Sequence, residues 1–167
     1  MSSIASVDQV AVDAGPLIAL ARLHLLHLPA RLFERVLLTD VVAAECLANP
    51  AHVEHPLILA ALGEGMLERK DWTKTQSIDL WHLDRGEAST IDFAKEFGTA
   101  ILVDDLAARR VAQRLRLPVL GTCGLLLLAK RQGHLKTVGP LLDRLVESGY
   151  YLGPALIDRV LRVAGEN

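Results

Sequence analysis

The residues through which this chain could do chemistry are carboxylates in four separate motifs: Asp13 in VDAGPL, Glu45 in DVVAAEC, Glu87 in DRGEAST, and the pair Asp104 and Asp105 in LVDDLAARR. Each stands where a strand should end or a helix should begin. Carboxylates gathered from distant segments repel one another at neutral pH, so a fold that collects them usually holds a divalent cation between them. Such a set suggests phosphoryl transfer assisted by Mg²⁺ or Mn²⁺. No Walker A sequence, dinucleotide fingerprint, nucleophile elbow or paired CxxC offers another chemistry.

Positioning these acids falls to alternating strands and helices. Val10 to Val12 is an apolar run closed by Asp13, and Gly15-Pro16 opens a helix through Leu17, Ile18, Leu20 and Leu23, with Pro16 at its first position. Arg35 to Thr39 predicts a second strand, after which Asp40 caps a helix carrying Val41, Val42, Ala44 and Glu45. The stretch from Asn49 to Trp72 contains Pro50, Pro56, Gly63 and Gly65; it predicts a helix over Leu57 to Leu62 and a short strand near Leu67. A helix from Glu87 to Phe97 is capped by Gly98, and Ala100 to Val103 reads as a buried strand. Then come a helix over Leu106 to Leu115, a strand over Pro118 to Leu120 and a helix over Gly124 to Gln132. From about residue 137 two amphipathic helices follow, Val138 to Glu147 and Pro154 to Ala164. This alternation predicts an α/β fold, a parallel sheet with helices on both faces, in one domain over residues 1–167.

In such a sheet, ligands bind outside the carboxyl ends of the strands, where Asp13 and Asp104 belong. If Pro16 is the first helical residue, Gly15 is the cap and Asp13 is released from that task. Of Asp104 and Asp105, one can cap the LAARR helix while the other binds metal; we assign Asp104 to the metal, with Asp105 nearby. Glu45, one turn after Val41, should face inward and need Arg or a metal as partner. Glu87 suits a helix start electrostatically, and its place one turn before Ile91 turns it toward the sheet. Arg109 and Arg110 rank first as phosphate contacts because they follow the Asp pair, against the alternative of a solvated surface. His52 and His55 lack zinc spacing, and His24 and His27 should mark the polar edge of a Leu-rich helix.

VDAGPLIAL, DVVAAE, LDRGEASTIDFA and ILVDDLAARRVAQRLRLPVLGT, in this order, resemble the PIN domain, in particular its prokaryotic VapC-like branch of predicted nucleic-acid-binding and toxin proteins. The resemblance runs from Val10 through GLLLLAKRQGHL and on to PALIDRVLRVAGE. It implies a Rossmann-like sheet, an acidic cluster binding Mg²⁺ or Mn²⁺, and an endoribonuclease leaving a 3′-hydroxyl and a 5′-phosphate. The family's acids fall on Asp13, Glu45, Glu87 and Asp104, with Asp105 beside the last; Asp13, Glu87 and Asp104 are then the metal ligands. It further implies an RNA substrate, a homodimer and a small antitoxin protein that covers the acidic cleft. The chain departs from the family where a Thr or Ser, then a Ser or Asn, usually follows the first acid: here stand Ala14 and Gly15, which removes hydroxyl or amide support for the cluster.

The bulk composition is compatible with this reading without selecting it. Of 167 residues 51% are hydrophobic but only 4% aromatic, an aliphatic composition suited to a buried parallel sheet. A formal charge of −2 provides no global field for nucleic acid, so any such partner needs a local patch. Cys46 and Cys123 fit no ligand pattern and read as small hydrophobes in a reducing compartment. The N-terminus has no leader pattern and no apolar run could span a bilayer, so the expected location is the cytoplasm. Two other readings compete. A receiver- or phosphatase-like protein would carry its paired acids or nucleophile early, whereas here the pair is late. A PIN-like module without catalysis, binding RNA or protein, is favoured by Ala14-Gly15 and opposed by the retained acids.

Overall fold

In a computed structural model the described residues are 7–72 and 82–166. The strands are β1 (Gln9–Val12), β2 (Arg35–Thr39), β3 (Glu68–Lys70), β4 (Ala100–Leu102) and β5 (Val119–Leu120). They form one parallel sheet in the order β3-β2-β1-β4-β5. The chain winds outward from β1 through β2 to β3, then returns to lay β4 on the other side of β1. The order therefore reverses between β1 and β4, the crevice where ligands of open α/β sheets bind.

Two-residue periodicity sends the strands' side chains to opposite faces. Val10, Val12, Val36, Leu38, Ala100 and Leu102 pack on one face with α1 (Ala14–Arg22), α3 (Asp40–Cys46), α4 (Glu54–Gly63) and α7 (Thr122–Arg131). Ala11, Leu37, Ile101 and Val103 face α5 (Arg85–Phe97) and α6 (Leu106–Arg114) on the other. The short α2 (Leu28–Leu32) precedes β2, and α8 (Gly139–Glu147) and α9 (Pro154–Ala164) close the first face. An ion pair between Lys130 and Glu166 at 2.6 Å, with Glu166 also accepting the N–H groups of Val138 and Gly139, ties the end of α9 to α7 and to the start of α8. Among the described residues no helix is long and apolar enough to cross a membrane.

Helix boundaries differ from expectation in ways that matter at the sheet edge. Helix α1 starts two residues early, so Asp13 rather than Gly15 occupies its N-cap position. Its side chain nevertheless makes no capping hydrogen bond, so the carboxylate is still free of that task. Helix α3 is capped by Thr39, whose Oγ1 accepts from Val42 N at 3.3 Å, and not by Asp40, which pairs with Arg69 instead. His24 and His27 do not share a helix: α1 ends at Arg22, His24 has φ 58°, and His27 precedes α2. Pro56 lies inside the first turn of α4, where the first N–H groups have no helical partner, so it does not break that helix.

Candidate active site

The acids converge on the carboxyl edge of the sheet around Gly86. Asp13 leaves the end of β1 only 7% exposed. A Cβ built on Gly86 would lie 2.5 Å from Glu45 Oε2 and 3.4 Å from both Asp13 Oδ1 and Asp84 Oδ1, so three carboxylates from three segments meet over this backbone. Burial pushes the Asp13 carboxyl up to about 7, helped by the charges of Asp84, Glu87 and Glu45 and opposed by the Ala14 N–H. Glu45 is raised by partial desolvation and by Asp84, and Glu87 by desolvation and then by Asp84, Asp105 and Glu45. The mutual repulsion expected from the sequence is thus present in the fold.

Glu45 is exposed to the cleft rather than turned inward. Because α3 begins at Asp40, its buried stripe is Val42, Ala43 and Cys46, and Glu45 shares with Val41 the flank facing a groove of about 670 Å³. The relative placement of α3 and α5 is fixed by a buried pair, Thr39 Oγ1 and Ser89 Oγ at 2.7 Å. Ser89 spends its proton on Gly86 O, so Thr39 donates. Glu87 forms a reciprocal capping box with Asp84: Glu87 N donates to Asp84 Oδ1 at 2.8 Å, and Asp84 N donates to Glu87 Oε2 at 3.2 Å. The sequence reading missed Asp84 as a member of the cluster, although the Asp84-x-x-Glu87 box was visible in LDRGEAST.

On the other side of β1, the Asp pair divides its labour. Asp105 caps α6, accepting from Ala108 N at 2.9 Å. Asp104 is held by Thr122, whose N–H donates to Oδ1 at 2.7 Å and whose hydroxyl donates to Oδ2 at 2.5 Å, and by the hydroxyl of Tyr150 on Oδ2. Neither Thr122 nor Tyr150 was singled out from sequence. Arg109 lies beside them: its Nη1 donates to Val103 O at 3.3 Å, and a Cβ on Gly121 would overlap its guanidinium. Arg110 is exposed and does not line the grooves flanking the acids. Lys130, on the next helix, is engaged by Glu166 and Ala164 O.

A second groove, of about 630 Å³, runs from Asp104, Asp105 and Arg109 to α9. Its rim carries large exposed apolar side chains, Leu106, Tyr151, Leu156 and Val163. The acidic edge therefore lies between two open grooves, one on the β2 side and one on the β5 side.

The family model DUF3368, described as a PIN domain, matches residues 9–166. The chain belongs to the PIN-domain family. A search of curated proteins returned no match. PIN domains are generally nucleases, hydrolases that typically use divalent metal ions. The five-stranded parallel sheet with helices on both faces is the architecture expected of a PIN domain.

The donor set suits such an ion. Its members are hard carboxylate oxygens, and Asp13 is buried among other acids, with no Lys, Arg or His paired to it among the described residues. Among the described residues no three Asp, Glu, His or Cys side chains form a ready-made metal cage. Cysteine takes no part: burial holds the thiols of Cys46 and Cys123 up at about 12 and about 11, so both are protonated at neutral pH.

Proposed function

We propose that this PIN domain is a metal-dependent endoribonuclease, the toxin-like member of a toxin-antitoxin pair. The observation that carries the nuclease reading is Asp13: a buried carboxylate at the sheet's switch point, surrounded by Glu45, Asp84 and Glu87 and paired with no cation among the described residues. Asp13 and Asp104 would hold Mg²⁺ or Mn²⁺, with Glu87 reaching it through water. When bound, the ion would supply positive charge to the phosphoryl oxygens and acidify the attacking water. Glu45, in the open cleft and with its carboxyl raised by partial desolvation and by Asp84, takes the proton of that water as its oxygen bonds to phosphorus. The bond to the 3′ oxygen breaks, and that oxygen is protonated from solvent, giving a 3′-hydroxyl and a 5′-phosphate.

Incubating the purified chain with a pool of structured and single-stranded RNAs tests this. Cleavage requiring Mg²⁺ or Mn²⁺, abolished by chelation and reduced roughly 10²-fold by Glu45→Gln, is the expected result; intact RNA under every metal condition would sink the reading.

Substrate contact falls to Arg109, beside Asp104, with Arg110 next to it on α6. Replacing either with Ala should weaken RNA binding without altering sequence preference. Each arginine removed from a phosphate should reduce the slope of log affinity against log salt by about 0.7, the single-strand value per phosphate. Unchanged slopes in both variants would return these residues to the solvated surface.

The antitoxin would occupy the groove edged by Leu106, Tyr151, Leu156 and Val163, which is apolar and adjoins the acids. The homodimer implied by the family resemblance remains part of this proposal. One observation favours a second reading, a module without catalysis: three donors already engage Asp104. Metal titration separates the two, since such a module should not bind Mn²⁺ saturably.

A further inference from the structure

Neither Ala14 nor Gly15, the residues after the buried Asp13, offers a hydroxyl to the site. The structure brings one from far along the chain. After α8 the backbone turns at Gly149, which has φ 85°, and Tyr150 N donates to Leu145 O at 3.0 Å. Arg22 of α1 holds the same turn through Ser148 O, at 3.0 Å. So fixed, Tyr150 packs against the first core cluster and directs its hydroxyl to Asp104 Oδ2. A Cβ on Gly15 would meet that hydroxyl at 3.8 Å, an ordinary contact. The phenol thus stands over Gly15, between β1 and β4.

The consequence for Asp104 follows from counting lone pairs. An ionised carboxylate has about four acceptor sites. Oδ2 receives two hydroxyls, from Thr122 and Tyr150, and Oδ1 receives one N–H, from Thr122. One acceptor direction on Oδ1 is left; a Cβ on Gly121 would lie 3.0 Å from that oxygen and overlap Arg109 Nη1, so the glycine makes room for both side chains.

We propose that Tyr150 is a positioning residue of the acidic site, its hydroxyl fixing the Asp104 carboxylate so that the remaining Oδ1 lone pair faces the cation. This rests on the metal-centre reading above. The C-terminal segment is then part of the catalytic edge as well as a cover for the core.

Mn²⁺ titration calorimetry on the wild-type chain, Tyr150→Phe, and Tyr150→Phe combined with Gly15→Ser tests it. Tyr150→Phe should bind about tenfold more weakly, the lower end of the range for loss of a group that orients a metal ligand, with its thermal midpoint little changed. The added Gly15→Ser hydroxyl, built into the space that the phenol oxygen vacates, should recover most of the affinity. Equal binding by Tyr150→Phe overturns the inference alone. A weakening that Gly15→Ser does not recover overturns it in favour of a merely structural role. Absence of binding in the wild type overturns the metal-centre reading and this inference with it.

Discussion

Replacing Asp13 with Asn should abolish metal binding and, in the metal-free protein, raise the melting temperature at pH 8. The sign follows from the titration of the carboxyl. Its folded-state value of about 7 lies above the ordinary 3.8, so between those pH values the folded chain binds more protons than the unfolded one. Stability contributed by protonated Asp13 is therefore complete below pH 4 and lost as pH rises through 7. Above that, the native state carries a buried charge that costs on the order of 4 kcal/mol. Asn avoids the charge, can accept the Ala14 N–H and can donate to neighbouring acids. The variant should gain roughly 8–16 °C at pH 8, at about 2–4 °C per kcal/mol for a domain of this size, and almost nothing at pH 4. Mn²⁺ should stabilise the wild type and not the variant, because only a ligand of the folded state shifts the equilibrium. Cleavage, which depends on the ion, should be lost with it. Melting curves at the two pH values suffice: a variant less stable at pH 8, or a gain independent of pH, would show that Asp13 is not held charged at a cost.

That destabilised carboxylate is the part of the site most legible in sequence. An apolar run closed by Asp13 placed an acid at the carboxyl edge of a strand, and the run Ala100 to Val103 placed Asp104 at the end of another; β1 and β4 pair in parallel, with Val12 opposite Leu102, so both runs end on the same edge. Local periodicity sufficed for β1, β2, β4 and β5, which are short apolar runs bounded by turn residues, whereas edge strand β3 is the charged run Glu68–Lys70. It failed at helix starts, where one residue decides which side chain caps. Thr39 outcompeted Asp40, whose carboxylate pairs with Arg69, and the corrected start rotates Glu45 from the expected inner face to the cleft.

What pairing rules could not supply were contacts made across long separations by residues of ordinary type. Thr122 and Tyr150 reach Asp104 over 18 and 46 residues, and no spacing announces either. Asp84 is different: its capping box with Glu87 was readable, but a cap is the most economical explanation of an Asp at that position, and only the fold shows that it also faces Asp13 and Glu45. Absence of the hydroxyl after Asp13 looked like a defect in the linear pattern. In three dimensions the Tyr150 phenol stands over the same backbone.

Gly86→Ala should reduce cleavage roughly 10²-fold, the scale of an ångström misplacement at a reacting centre, while leaving the fold intact. The glycine needs no unusual backbone, being helical in the first turn of α5, where Ala is favoured by up to about 1 kcal/mol. What it provides is space. The added methyl would sit 2.5 Å from Glu45 Oε2, which must move, and 3.4 Å from Asp13 and Asp84, which need barely adjust. Because the displaced atom is the end of a flexible side chain, folding stability should stay within about 1 kcal/mol, far less than an overpacked core would lose. Asp13 remains in place, so Mn²⁺ affinity should change little and the loss should appear in kcat rather than KM. Glu45→Gln should match it in kcat without the steric cause. A Gly86→Ala chain as active as wild type would mean that the Glu45 carboxylate need not stand over residue 86, and would remove Glu45 as the group that takes the proton. A collapse of Mn²⁺ affinity would instead mean that Glu45 helps to hold the ion, leaving deprotonation of the water to Glu87 or Asp84.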